Sequence, residues 1–81
     1  MQRKIVSAQT FGAFVRDERK KRGLTQDSLG KLVGVDKATV SYIERGKPGV
    51  RLSTIFLLLA ALEIDLFVEP RVSEQHSKDT W

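Results

Sequence analysis

From residue 8 to residue 63 apolar positions recur every three or four residues, and beyond that point they alternate one by one. The first period is that of an amphipathic helix and the second that of a strand. Phe11, Phe14 and Val15 form one stripe of a helix that starts at Ala8 or Thr10, runs to Arg22 and is closed by Gly23. Thr25 offers a hydroxyl to the free amides of Gln26 to Ser28, so a second helix opens there, with Leu29, Leu32 and Val33 as its buried stripe. Gly34 ends it, because glycine takes the left-handed cap geometry without steric cost. Asp36 caps a third helix in which Val40 and Ile43 face inward together with Val35. That leaves Lys37, Ala38, Thr39, Ser41 and Tyr42 for other surfaces. Gly46 and Pro48 stop the helix.

A fourth helix is predicted from about Leu52 to Glu63, with Leu52, Ile55, Phe56, Leu59 and Leu62 inward. Leu57, Leu58 and Ala61 make it apolar nearly all round, so it needs cover on more than one side, which a second copy of the chain would supply. In the alternating run Ile64, Leu66 and Val68 project one way and Asp65, Phe67 and Glu69 the other, up to Pro70. A lone strand leaves its backbone groups unpaired. The same strand of a second subunit is the simplest partner, giving a two-stranded antiparallel ribbon across a dimer axis, and residues 3 to 7 are the alternative. Residues 71–81 are polar and expected to be disordered, apart from a terminal Trp81 of the type that anchors interfaces.

Length and composition narrow the classes. Eighty-one residues allow one small domain with a modest core, for which self-association is a natural supplement. There is no cysteine, which fits a reducing cytoplasm and removes disulfides and thiolate metal sites. The longest apolar run, Ile55 to Leu62, is far short of the roughly twenty residues that cross a bilayer, and no secretory signal is visible. The net charge of +4 is unevenly placed: residues 1–51 carry twelve Lys and Arg against five Asp and Glu, and residues 52–81 two against five. The positive end coincides with the second and third helices, as a phosphate-binding surface requires. Enzyme chemistry finds no support. The one histidine, His76, lies in the tail, no paired carboxylates share a plausible cleft, and the glycines form no phosphate loop. No cofactor or metal is expected.

Gln26, Leu29, the small Gly30, Gly34, Val35, Val40, Ser41, Ile43, Glu44, Arg45 and Gly46 together resemble the helix-turn-helix of Cro/C1-type (Xre-like) repressors. Small residues at positions 30 and 34 would let the two helices approach at a steep angle. Two buried helices with no function would share the apolar pattern but not the exposed Lys-Ala-Thr face framed by basic residues. In that family an arginine seven residues before the helix-opening glutamine pairs with the glutamate before the final Arg-Gly. Arg19 and Glu44 stand at those places, with Arg16 in reserve. The resemblance implies a mainly α fold, a lambda-repressor-like helix-turn-helix bundle of four to five helices. To it the alternating run adds an expected C-terminal β-strand that forms a two-stranded intersubunit sheet through Ile64, Leu66, Phe67 and Val68. Residues 8–70 would be the DNA-binding and dimerisation domain and 71–81 a tail.

With the segment Arg51 to Phe56, the late strand and Trp81, the whole chain is similar to antitoxins of the HipB type, which act on HipA-type toxin kinases. That resemblance implies a cytoplasmic bacterial homodimer that binds a palindromic operator in double-stranded DNA, represses its own operon and neutralises a HipA-like kinase, with Trp81 as the kinase anchor and no role at a membrane. A repressor with no toxin partner and a pure protein-interaction module are the rivals. On the helix-turn-helix reading Lys37 donates to guanine O6 and N7, and Ala38, where many relatives carry glutamine, offers a methyl to thymine. Thr39 and Ser41 reach bases or phosphates, and Tyr42 the backbone. Gln26 clamps a phosphate at its helix start, aided by Thr25, Arg22 and Lys47, with Lys31 as a weaker candidate.

Overall fold

Reciprocal capping boxes fix where the first two helices begin. The Ser7 hydroxyl accepts from the Thr10 amide while the Thr10 hydroxyl accepts from the Ser7 amide, both at 3.0 Å, and Thr25 and Ser28 repeat the arrangement. The structure, a computed structural model, describes residues 2–72. Among these it holds four helices: α1 (Ala8–Lys21), α2 (Gln26–Val33), α3 (Lys37–Glu44) and α4 (Leu52–Ala61). The expected helix-turn-helix is α2 and α3. Trp81 and His76 lie outside the described residues.

The core is one cluster of Val15 from α1, Leu29 and Val33 from α2, Val40 and Ile43 from α3, and Leu58 and Leu62 from α4 and its cap. Phe11, Phe14, Val35 and Ile55 pack on it, only partly buried. Backbones meet closely at three points, one of them Gly46, where an added Cβ would lie 2.7 Å from the Gln9 Cα. A Cβ on Gly12 would lie 2.5 Å from the carbonyl oxygens of Ile43 and Glu44, and one on Gly30 would lie 2.6 Å from that of Val35. Gly34 fills one of its two expected roles, the left-handed stop of α2, and not the other, since no helix crosses close to it. It has open space around it and serves through its φ of +90°, its amide donating to the Gly30 carbonyl at 2.8 Å.

Three apolar positions expected inside lie outside. Leu32 is 62% exposed. With about 100° between successive residues, the approach at Gly30 turns the buried arc toward Leu29, Gly30 and Val33 and leaves Leu32 beyond its edge. In α4 the inward arc is Ile55, Leu58, Leu59 and Leu62, so Leu52 and Phe56 fall on the back, 66% and 50% exposed. The helix also ends before Glu63. Glu63 takes a left-handed φ of 57°, its amide donates to Ala60, and the Ile64 amide donates to the Leu59 carbonyl at 2.9 Å. Ile64 then packs on the core, completing a Schellman closure.

No strand forms among the described residues, and no backbone hydrogen bond joins 64–70 to residues 3–7. A strand exists only through its ladder, and the single chain supplies no partner. The N-terminal segment lies instead along α1, where Arg3 donates to Asp17 at 2.8 Å and sits 5.7 Å above the Phe14 ring. No described helix is long and apolar enough to cross a membrane.

Candidate nucleic-acid interface

α3 begins with a residue that helix energetics do not favour. Lys37 places a cation on the first turn, against the positive end of the helix, and no acidic residue stands in that turn. Asp36 compensates from the cap. Its carboxylate accepts the Thr39 amide at 2.8 Å and the Thr39 hydroxyl at 2.6 Å. These two bonds, the side-chain one first, hold the Asp36 carboxyl below its ordinary value of 3.8. The first turn is thus fixed, with Lys37 and Ala38 exposed and Thr39 half-buried.

Two shallow clefts flank this turn. One is lined by Asp36, Ala38, Thr39 and Tyr42 with Gly49, Val50, Arg51 and Thr54. The other brings Lys37 together with Thr25, Gln26, Asp27 and the turn at Gly23 and Leu24, over Arg19. Of the expected base-edge residues of α3, Lys37 alone shares a cleft with the start of α2, while Ala38 and Thr39 line the other. Tyr42 spans the first cleft and donates its hydroxyl to the Pro48 carbonyl at 2.9 Å, tying the loop after α3 to α3 itself.

Beneath the second cleft lies a polar knot. Arg19 donates from Nε to Glu44 Oε2 at 2.6 Å and from the guanidinium end to Glu44 Oε1 at 3.1 Å. Its remaining nitrogen donates to the Leu24 carbonyl at 2.8 Å. The two side chains are 9% and 3% exposed. Gln26 Nε2 also donates to Glu44 Oε1, at 3.1 Å. Among the described residues no buried side-chain nitrogen or oxygen lacks a partner.

Other site candidates sit differently. Arg22 is held on Glu18, donating to its carboxylate at 2.7 Å and to its carbonyl at 2.8 Å, and that contact, with a second one from Lys21, lowers the Glu18 pKa. Both Arg22 contacts are made by Nη1. Lys31 stands 3.4 Å from Asp27 on an exposed face of α2, Lys47 is exposed in the loop, and Ser41 is half-buried; none of the four lines either cleft. Ile64, Leu66, Phe67 and Val68 leave the core after Ile64, and Phe67 and Val68 are 84% and 89% exposed. Sequence reasoning missed the Gln26–Glu44 bond, the Tyr42–Pro48 tie and the place of Arg51 beside Thr39. The Tyr42 tie had a signal in the Pro-Gly turn six residues after an aromatic residue, whereas the other two depend on how the helices cross.

A family model described as Helix-turn-helix matches residues 15–68. Antitoxin HipB of Escherichia coli K12 is 32% identical over 63 residues, which cover 78% of this chain and 72% of HipB. The restriction-modification controller protein C.AhdI from Aeromonas hydrophila is similar in structure, with a TM-score of 0.67 at 38% identity over 72% of this chain and 84% of C.AhdI. HipB as solved in a HipA-HipB-O2-O3 complex gives a TM-score of 0.77 at 29% identity, covering 85% of this chain and 97% of that one.

Proposed function

The chain belongs to the Helix-turn-helix family, of the Cro/C1 (Xre) type, and is a DNA-binding regulator; from that footing we propose that it is an antitoxin of the HipB kind, repressing its own operon and neutralising a HipA-like kinase. One observation carries the finer reading. The likeness to HipB covers 85% of the chain, more than the two thirds held between residues 8 and 61 by the four helices, so it extends past the DNA-reading unit. HipB itself is found in a complex with HipA.

In this mechanism α3 lies in the major groove with Lys37 against guanine and the Ala38 methyl against thymine, while Thr39 and Ser41 reach bases or phosphates. Gln26 and the free amides at the start of α2 clamp a phosphate, with Thr25, Arg22, Lys31, Tyr42 and Lys47 along the backbone track. Two copies associate through the exposed face of α4 and through residues 64–70, whose unpaired backbones form an antiparallel ribbon. The pair then offers two reading helices to half-sites about 34 Å apart on a palindromic operator. Trp81 anchors the kinase, and the complex acts in the bacterial cytoplasm.

A second reading, a regulator without a toxin, is favoured by the higher identity to C.AhdI. One experiment separates them. The full chain and a chain ending at residue 71 are each mixed with a HipA-like kinase and with promoter DNA. The antitoxin reading expects tight kinase binding that weakens on truncation while DNA affinity holds. DNA binding with no kinase binding by the full chain establishes the plain regulator. On the DNA side, Lys37→Ala is expected to cost about 1 to 3 kcal/mol and to relax sequence preference. An unchanged preference would remove α3 from the major groove.

A further inference from the structure

We propose that Glu44 is a positioning residue for DNA binding: with Arg19 beneath it, its carboxylate holds the Gln26 amide in the one orientation that presents an N–H to a phosphate. The inference rests on the reading of Gln26 as a phosphate clamp. It assigns to a buried ion pair a task beyond holding helices together.

The geometry gives three reasons. Glu44 Oε1 accepts from Gln26 Nε2 at 3.1 Å, and a carboxylate only accepts, so the amide must turn its nitrogen and not its oxygen toward Glu44. One Nε2 proton is consumed there and the second remains for a ligand. A free glutamine amide at a helix start presents its oxygen as readily as its nitrogen, and an oxygen facing a phosphate is repulsive. Fixing the amide removes both the wrong orientation and the entropy of choosing the right one.

Second, a carboxylate under a phosphate site would by itself repel the ligand. Here the charge is compensated within the knot, because Arg19 reaches both Glu44 oxygens, at 2.6 and 3.1 Å. Third, the knot is tied to the backbone. Arg19 is anchored a further time on the Leu24 carbonyl at 2.8 Å, in the turn that leads into α2. Glu44 sits at the end of α3, whose carbonyls at Ile43 and Glu44 touch α1 at Gly12. The Gln26 amide is thereby referenced to α1, α2 and α3 at once.

The test is a double-mutant cycle read on DNA, with Arg19→Met and Glu44→Leu made together as an apolar replacement of similar volume that keeps the buried site filled. Binding of a mixed-sequence duplex at low ionic strength is measured with and without Gln26→Ala in each background. The expected result is a loss on the order of tenfold for Gln26→Ala in the native chain and almost none in the Met/Leu background, where the amide is already adrift. The same tenfold loss in both backgrounds overturns the positioning role and leaves the clamp standing. No loss in the native chain overturns the clamp and the inference with it. A readout that needs no variant to fold is the Gln26 side-chain amide in the nuclear magnetic resonance spectrum of the full chain. One of its two protons is expected shifted downfield and slow to exchange, and signals like those of free glutamine overturn the proposal.

Discussion

The region around Glu44 and the outer side of α4 are built on opposite terms. In the first, backbones touch at Gly12 and Gly30, and the Arg19 and Gln26 side chains converge on a carboxylate that is 3% exposed. In the second, Leu52, Phe56 and Leu57 stand in solvent, followed by Leu66, Phe67, Val68 and Val72. The chain thus completes inside one molecule the part that, on the proposed reading, presents groups to DNA at fixed spacing. It leaves exposed a set of large apolar side chains on α4 and in the segment after it, the kind of residue that association surfaces use. In the proposed dimer the second copy covers it, so the first region sets the shape of each reading unit and the second sets the distance between two of them.

The strongest way to break the contrast is Glu44→Ala, which strands the buried Arg19 charge. A loss of about 3 to 5 kcal/mol in unfolding free energy is expected from urea titration. A loss near zero would mean that water reaches the pair and that the two regions do not differ in kind.

Gly12→Ala comes next. The added methyl meets two backbone carbonyls that cannot swing aside, and about 1 to 3 kcal/mol of stability is expected to go, read as a lower Tm.

Asp36→Ala removes the cap of α3, with a smaller loss. The folded-state pKa of Asp36 lies below its ordinary 3.8, because the charged form is the one that accepts from Thr39. The contribution is therefore fully present above pH 3.8 and is lost as pH falls through the folded value. The stability gap between the native chain and the variant is expected to close in acid. A gap that stays constant down to the acid transition would show that the cap works without its charge.

Phe67→Ser has the smallest expected effect on one folded chain, within about 0.5 kcal/mol, since the side chain touches no core residue. Its effect is expected in assembly. The native Tm should rise with protein concentration and that of the variant should not. A native Tm independent of concentration would return the open side of α4 to an ordinary surface.

Much of the reading unit was legible because its signals are local. Thr25 and Asp36 at the caps, Gly34 at the left-handed stop and the short spacing between them require only neighbours along the chain. The pairing of Arg19 with Glu44 came from resemblance to a family, and no rule of spacing would have found two residues on different helices. Leu32, Leu52 and Phe56 were misplaced because periodicity gives the width of an apolar stripe and not the direction from which the next helix arrives. Residues 64–70 carry the alternation of a strand but acquire no ladder in one chain, since a partner is not a property of the segment.

What the sequence by itself determined is where the helices start and where the first three stop, which charges cluster on which half of the chain, and that Lys37 and Ala38 open the third helix. These follow from torsional preference, capping hydrogen bonds and composition, all of which act over a few residues. Only the tertiary structure decided which apolar faces are spent in the core, and that Glu44 holds the Gln26 amide as well as Arg19. Those outcomes depend on the angle and distance at which α1, α2 and α3 cross, set by whole-helix packing at Gly12 and Gly30, and no local rule contains that information.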